Sequence, residues 1–239
     1  MGRKEKNGQP DDARRGDCWD HTAVDPEARL VVSLVVGKRT AEAVGEVVRD
    51  VHRRTGGRVM RLMTSDEYPA YADAIRGAYG QRVVPPRTGR PGRPRNPYTV
   101  IPPAVTYATV HKHREGGRVV RVSTRVVFGT LLAVALALAV SAVSRAVSTC
   151  FVERHNGTDR NRCSRKVRKS YAFSKDWDVH RAATMFSHFS DNFCWPVRTL
   201  RVRGADGRWR ERTPAMAAGL TDHVWSLSEW LTYPAVQRT

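Results

Sequence analysis

Glu153 stands in the run Thr149-Cys150-Phe151-Val152-Glu153-Arg154-His155-Asn156-Gly157-Thr158-Asp159-Arg160, where residue types and spacing most invite chemistry. On a helix, Glu153, Asn156 and Arg160 fall at i, i+3 and i+7 and share one face. A carboxylate beside an amide and a cation on one face can hold a divalent metal and touch a phosphate backbone. The same pattern suits a solvated salt-bridge face. A second acidic site lies in Arg61-Leu62-Met63-Thr64-Ser65-Asp66-Glu67-Tyr68-Pro69-Ala70-Tyr71. Val59 to Met63 reads as a short buried strand. Ala70 to Tyr79, opened by Pro69 and closed by Gly80, reads as a helix. Asp66 then sits where a strand hands over to a helix, a common place for functional side chains in α/β sheets. It is equally a place where Ser65 or Asp66 would cap a helix.

The elements that must position these residues follow from the hydrophobic pattern. Trp19 to Val24 and Leu30 to Val36 are apolar runs joined by Asp25-Pro26-Glu27-Ala28, which reads as an antiparallel hairpin with Asp25 in the turn. Thr40 opens a helix whose Val44, Val47, Val48 and Val51 form one stripe, and Gly56-Gly57 stops it. Between Pro85 and Pro103 the composition shifts to Pro, Gly and Arg. There Gly89-Arg90-Pro91-Gly92-Arg93-Pro94-Arg95 looks like the AT-hook element, whose arginines enter a narrow minor groove, or else a flexible basic linker. Tyr107 to Lys112 and Arg118 to Phe128 suggest a hairpin around Arg114-Glu115-Gly116-Gly117. Val126 to Ser144 is uncharged and long enough to be weighed as a membrane span. Its alanines and polar ends favour a buried soluble helix, Leu131 to Val147, capped by Thr130. Val179, Ala183, Phe186, Phe189 and Phe193 repeat at helical spacing as a core-facing stripe, with Trp195-Pro196 closing that helix. Trp225 and Trp230, with Trp209, are placed to pack a carboxy-terminal extension onto the core.

With 239 residues and a net charge of +18, the chain is one ordinary domain or one with an appendage, and an acidic partner is the default expectation. Nucleic acid and anionic membrane are the two candidates. Cys18, Cys150, Cys163 and Cys194 form no C-x-x-C pair and read as reduced thiols. His111-x-His113 offers too few ligands for a metal centre. The opening Met1 to Arg15 is polar and charged, unlike a secretory signal. Between Arg154 and Arg181 there are nine Lys or Arg against three Asp, a run suited to following a phosphate backbone or to a solvated face.

The pieces Met63 to Tyr68, Phe151 to Asn156, Ala172 to Lys175 and Asn192 to Cys194, with the closing Thr213 to Leu220, resemble insertion-sequence transposases of the insertion-sequence-one type. The similarity runs over nearly the whole chain and is weakest between Arg82 and Ser141. Such enzymes belong to the DDE group, so the resemblance implies an α/β, ribonuclease-H-like mixed sheet with flanking helices and a basic Pro/Gly/Arg-rich insertion. Glu153 with Arg160 matches that group's Glu-x6-Lys/Arg signature. The layout that follows is a first part of the core over 1–84, a basic insertion over 85–128, a second part of the core over 129–200 and an extension over 201–239. Family members carry a first catalytic Asp in an Asp-Glu-x-Trp context just before a loop like Gly2 to Asn7. That places this Asp, its strand and an amino-terminal DNA-binding segment upstream of Met1. Asp17, Asp20 and Asp25 are the nearby substitutes, and Asp20 occupies the family's second strand.

By the same resemblance Asp66 and Glu153 are the catalytic carboxylates and ligands of Mg²⁺ (or Mn²⁺). Paired ions of this kind sit roughly 3.5–4 Å apart and activate the attacking and leaving oxygens. Arg154, Asn156, Arg160, Arg165, Arg168 and Lys169, with Arg90, Arg93 and Arg95, would contact double-stranded DNA. The expectation is therefore a DDE transposase for metal-dependent DNA cleavage and strand transfer, truncated or inactive, cytoplasmic and capable of forming homo-oligomers. It carries no membrane segment and no small-molecule substrate. A basic DNA-binding module without chemistry and a single-span membrane protein are the rival readings.

Overall fold

The computed structural model describes residues 18–86, 95–167, 171–172 and 174–233. The chain is mixed α/β and divides into two compact units. The first contains the described residues up to Lys38 and those from Phe151 onward; the second runs from Arg39 to Cys150. Most of the expected AT-hook stretch, Gly89 to Pro94 with Arg90 and Arg93, and the basic pair Arg168 and Lys169 lie outside the described residues.

The first unit opens with the hairpin β1 (Trp19–Asp25) and β2 (Leu30–Gly37), antiparallel as the two apolar runs predict. Asp25 Oδ1 accepts from Glu27 N at 2.9 Å, and Arg29 takes a left-handed φ of 58° to finish the turn. The register slips between Ala23 and Val24, leaving Val32 without a direct partner on β1. Beside that irregularity the side chain of Asn192 clasps the Val31 backbone. Its Oδ1 accepts from Val31 N at 2.9 Å and its Nδ2 donates to Val31 O at 2.9 Å. Val31, Leu34 and Val36 form the small apolar core here, with Cys18, Val24 and Phe189 against it.

In the second unit, α1 (Ala41–Arg54) has Thr40 as its N-cap, the hydroxyl accepting from Ala43 N at 3.3 Å. Its valine stripe is buried at Val44, Val47 and Val48, and Gly56 and Gly57 both take positive φ just beyond its end. The strand expected over Val59 to Met63 is displaced: β3 is Met63–Ser65, and Val59 is exposed. Only those three residues find a partner ladder, so the apolar run before them has no sheet to join. Next come α2 (Ala70–Tyr79), then β4 (Gln81–Val83) and β5 (Tyr98–Val100), which pair antiparallel. A Cβ on Gly80 would meet Arg76 O at 2.3 Å and Thr99 Cγ2 at 2.4 Å, so only glycine fits where α2 turns into β4.

β6 (Tyr107–Glu115) pairs parallel with β3 and antiparallel with β7 (Arg118–Phe128), the hairpin read from the sequence. Gly116 and Gly117, at φ of 54° and 80°, supply the turn. Val48, Ile75, Tyr79, Val105 and Tyr107 form the main core of this unit, and Ala108, Val110, Val134 and Val147 a second cluster.

The helix expected over Leu131 to Val147 is corrected in both length and burial. α3 is Leu131–Val140, capped by Thr130 as expected, and Arg145 folds back to donate to the Ala139 carbonyl at 2.6 Å. Only Val134 is buried, while Leu131 is 76% exposed and Leu136 59%. Val134 packs with Ala108 and Val110 of β6 and with Val147, while Leu131, Leu132, Leu136 and Val140 stay exposed. Among the described residues no helix is long and apolar enough to cross a membrane.

Back in the first unit, α4 (Cys150–Arg162) leads through a 3-10 turn at Ser164–Lys166 into α5 (Trp177–Cys194). β8 (Val202–Arg203) and β9 (Trp209–Arg210) then pair, followed by α6 (Pro214–Ala217) and α7 (Leu227–Thr232). The apolar stripe expected to face the core on α5 does so only in part: Phe189 packs against Val31, Leu34 and Val36, and Ala183 and Phe193 are half-buried. Val179 and Phe186 are exposed, and the buried positions are His180, Thr184, His188, Ser190 and Asn192. Phe186 and Phe193 instead meet Trp230 and Trp225 at ring separations of 5.3 and 4.9 Å, which is how the closing segment attaches.

The Asn192 clasp yields a test of this packing. Asn192→Leu keeps the volume but strands the Val31 N–H and C=O, each worth about 1–3 kcal/mol when buried and unpaired. Urea unfolding should show a loss in that range for Asn192→Leu, and a change of under about 0.5 kcal/mol would mean that β2 is held by other contacts.

Candidate functional site

The two carboxylates favoured by the sequence lie in different units. Asp66 directly follows β3 in the second unit, where Arg39 Nη2 donates to its Oδ2 at 3.2 Å and Tyr68 N to its Oδ1 at 3.3 Å. It therefore closes a turn ahead of α2; the helix cap itself is Pro69, not Ser65 or Asp66. Arg39 also lies over the Tyr68 ring at 4.7 Å, and Ser65 Oγ is 2.6 Å from Tyr107 Oη. Glu153 belongs to the first unit and lies on the exposed side of α4, with Arg154 exposed beside it and Asn156 and Arg160 half-buried. Arg165 is exposed on the following turn, and Arg95 is exposed ahead of β5. The His111 and His113 rings meet edge to face at 4.1 Å, with His111 paired to Glu67 and His113 to Ser123.

What the first unit assembles lies on the opposite side of α4. His155, Asp159 and Arg162 recur at i, i+4 and i+7, and all three meet α5. His155 Nε2 is 2.7 Å from His188 Nδ1, Ser187 Oγ donates to Asp159 Oδ1 at 2.8 Å, and Arg162 pairs with Asp191. Lys166 reaches into this interface from the 3-10 turn. Its ammonium is 2.6 Å from Asp159 Oδ2, 2.9 Å from Asp20 Oδ2 on β1 and 3.3 Å from His188 Nε2. The Lys166, Asp159 and His188 side chains are 6%, 4% and 0% exposed. An ammonium carries three N–H donors, and two carboxylate oxygens and one imidazole nitrogen surround this one.

Electrostatics follow from that burial. Burial pushes the Asp159 carboxyl up, but hydrogen bonding and charge from His188 and Lys166 outweigh it and hold the group well below its ordinary value. Asp20 is treated the same way: burial raises it, and the His180 ring and the Lys166 ammonium bring it below its ordinary value. Burial, reinforced by the neighbouring His188, lowers His155 to about 4, so this imidazole is neutral in the fold. Asp191 goes the other way, raised by burial despite Arg162. In this unit Asp20 Oδ1, Trp177 Nε1 and Thr184 Oγ1 are buried without a hydrogen-bond partner among the described residues. At Asp20 Oδ1, His180 Nε2 stops at 3.8 Å while its Nδ1 bonds Ser174 Oγ at 3.0 Å.

Asp20, Asp159 and His188 each offer one ligand atom, all within 4.8 Å of one another, and could hold a metal ion. Of these only Asp20 stood among the acidic candidates weighed from the sequence, as a substitute for a missing carboxylate. Asp159, Lys166 and His188 were not singled out. Their signal was the polar period on α4 and α5, hidden behind the phenylalanines of the same helices.

The lowered His155 makes stability depend on pH. The unfolded imidazole takes a proton near its ordinary 6.5 and the folded one only near 4, so the unfolded state binds more protons between these values. Stability should fall as the pH drops through that window, by up to about 1.4 kcal/mol per pH unit. Asp159 adds to this lower down: its contribution is present above the ordinary carboxyl value of 3.8 and is lost as the pH falls towards its depressed one. Urea unfolding at about pH 7 and about pH 5 should show a shallower decline for His155→Gln than for the parent; equal declines would assign the effect elsewhere. Compared with protein-family models, with curated proteins and with solved structures, the chain matches none.

Proposed function

We propose that this protein binds double-stranded DNA through the arginine-bearing surface of its first unit, as a relative of the insertion-sequence transposases it resembles. One observation carries the binding. The basic run after Glu153 is divided in two by the fold: Lys166 and Arg162 are spent on Asp20, Asp159 and Asp191, whereas Arg154 and Arg165 are exposed. Among the described residues no carboxylate pairs with Arg154, Arg160 or Arg165. Cations with no carboxylate partner among the described residues, on a chain of +18, attract a polyanion by counterion release. A basic module without chemistry shares all of this, and the transposase reading adds Asp66 and Glu153 on the strength of the resemblance. A ribonuclease-H-like core and a divalent metal, Mg²⁺ or Mn²⁺, belong to that same proposal. The Asp66 carboxylate already has Arg39 and Tyr68 as partners, and Glu153 stands in the other unit.

Affinity for duplex DNA should fall with salt at a log–log slope of about −0.9 per phosphate neutralised. Arg154→Ala, Arg160→Ala and Arg165→Ala should each reduce that slope by up to about 0.9, whereas Arg76→Ala, already paired with Asp73, should leave it unchanged. Equal slopes for all four would remove this surface from the reading. The catalytic part has its own test in Mg²⁺- or Mn²⁺-dependent joining of terminal inverted-repeat DNA. Asp66→Asn and Glu153→Gln must each abolish it. Joining that survives either change refutes the transposase assignment while leaving DNA binding intact.

A further inference from the structure

We infer that Asp20, Asp159 and His188 form a site for a divalent first-row transition ion, Zn²⁺ in type, which the ammonium of Lys166 fills as a tethered stand-in. The inference is independent of the DNA-binding surface and of the carboxylates Asp66 and Glu153.

The geometry is the first support. Lys166 Nζ touches the same three side chains that offer the ligand atoms, at 2.6, 2.9 and 3.3 Å. His188 Nε2 and Asp159 Oδ2 are 3.2 Å apart, close to the edge of a tetrahedron with metal–ligand bonds of about 2.0–2.2 Å. Drawing the three groups inward, by about half an ångström for Asp159 and about one for His188, converts an ammonium cage into a metal cage. Charge balance is the second. With His188 neutral, as a metal-bound imidazole must be, two carboxylates outweigh the one ammonium by a unit charge, which a divalent ion supplies. The third is the unsatisfied Asp20 Oδ1, buried and without a hydrogen-bond partner among the described residues. A carboxylate that turns to bind an ion through either oxygen has a use for it. The fourth is the ring orientation of His188. Its Nδ1 is held 2.7 Å from His155 Nε2, the outer contact that commonly fixes a metal-binding imidazole with its other nitrogen turned inward. The nitrogen ligand sets the class of ion, since imidazole suits zinc and its neighbours while Mg²⁺ takes oxygen.

Lys166 is the discriminating residue. If its role is only to neutralise two buried carboxylates, its removal destabilises the fold whatever ion is added. If it stands in for a metal, its removal opens the site. The full chain and Lys166→Met are titrated calorimetrically with Zn²⁺, and Co²⁺ is used to read coordination from its visible absorption. Lys166→Met should bind Zn²⁺ at least about tenfold more tightly than the parent, a difference of about 1.4 kcal/mol, with a tetrahedral Co²⁺ spectrum. Adding Asp159→Asn or His188→Gln to Lys166→Met should abolish both, and excess Mg²⁺ should not compete. Should Lys166→Met be unfolded without metal, Zn²⁺ must restore its cooperative thermal transition. Zn²⁺ affinity no greater than the parent's, affinity indifferent to Asp159 and His188, or failure of Zn²⁺ to restore folding would each overturn the assignment.

Discussion

The first unit is organised around one cation. The Lys166 ammonium is what allows Asp20 on β1 and Asp159 on α4 to be buried together with His188 of α5. Removing two carboxylates from water costs several kcal/mol each, and mutual attraction repays this only when donors and acceptors are matched. Here they are matched except at Asp20 Oδ1. The arrangement is short-ranged and directional, unlike an apolar contact, so it fixes how hairpin and helices meet more sharply than the small Val31, Leu34 and Val36 core could. Ser187, His155 and the Arg162–Asp191 pair extend it along the α4–α5 interface.

Much of the local structure was readable from the sequence because each piece carries its own signal. The two hairpins announce themselves by apolar runs around Asp25-Pro26 and Gly116-Gly117. The valine stripe and the Thr40 cap define α1, and Pro69 and Gly80 bracket α2. Each of these depends on neighbours within a few positions. The failures all involve partners far along the chain. Val59 is apolar but has no strand beside it, and α3 is apolar on all sides but meets only one surface. On α5 two periods compete, phenylalanines at one set of positions and His180, Thr184 and His188 at another. The outcome was decided by Asp20 and Asp159, 168 and 29 positions before His188 (188 − 20 and 188 − 159). Periodicity ranks faces by hydrophobicity and so ranks a polar core last.

The same distinction applies to the candidate residues. Asp66 and Glu153 were conspicuous because each stands at a recognisable local junction, and both are indeed at the end of a strand and on a helix. Whether such residues serve one centre is a property of the whole fold, which local spacing does not encode. Lys166, by contrast, looks in the sequence like one more cation in a basic run. Its burial separates it in kind from the adjacent Arg165 and from Arg154 in the same run. A basic segment can thus be part structural and part solvent-facing, and net charge overstates the charge available to a partner.

The β6–β7 hairpin has a consequence of a different sort. β3 pairs with β6 only as far as Thr109, so from Val110 to the Gly116-Gly117 turn the ribbon carries no third strand among the described residues. Both of its long sides present backbone groups that could template another strand, and Val119, Val120 and Val122 are exposed along it. What guards it is composition: Lys112, Arg114, Arg118, Arg121 and Arg125 give two such ribbons the same sign, so approach of one copy to another is repulsive. That repulsion has a range set by the ionic atmosphere, about 10 Å at 0.1 M salt and about 3 Å at 1 M. The colloidal behaviour of the protein is therefore inverted relative to one kept apart by hydration alone: concentrated salt, by collapsing the charge barrier, is the condition under which the bare ribbon becomes adhesive.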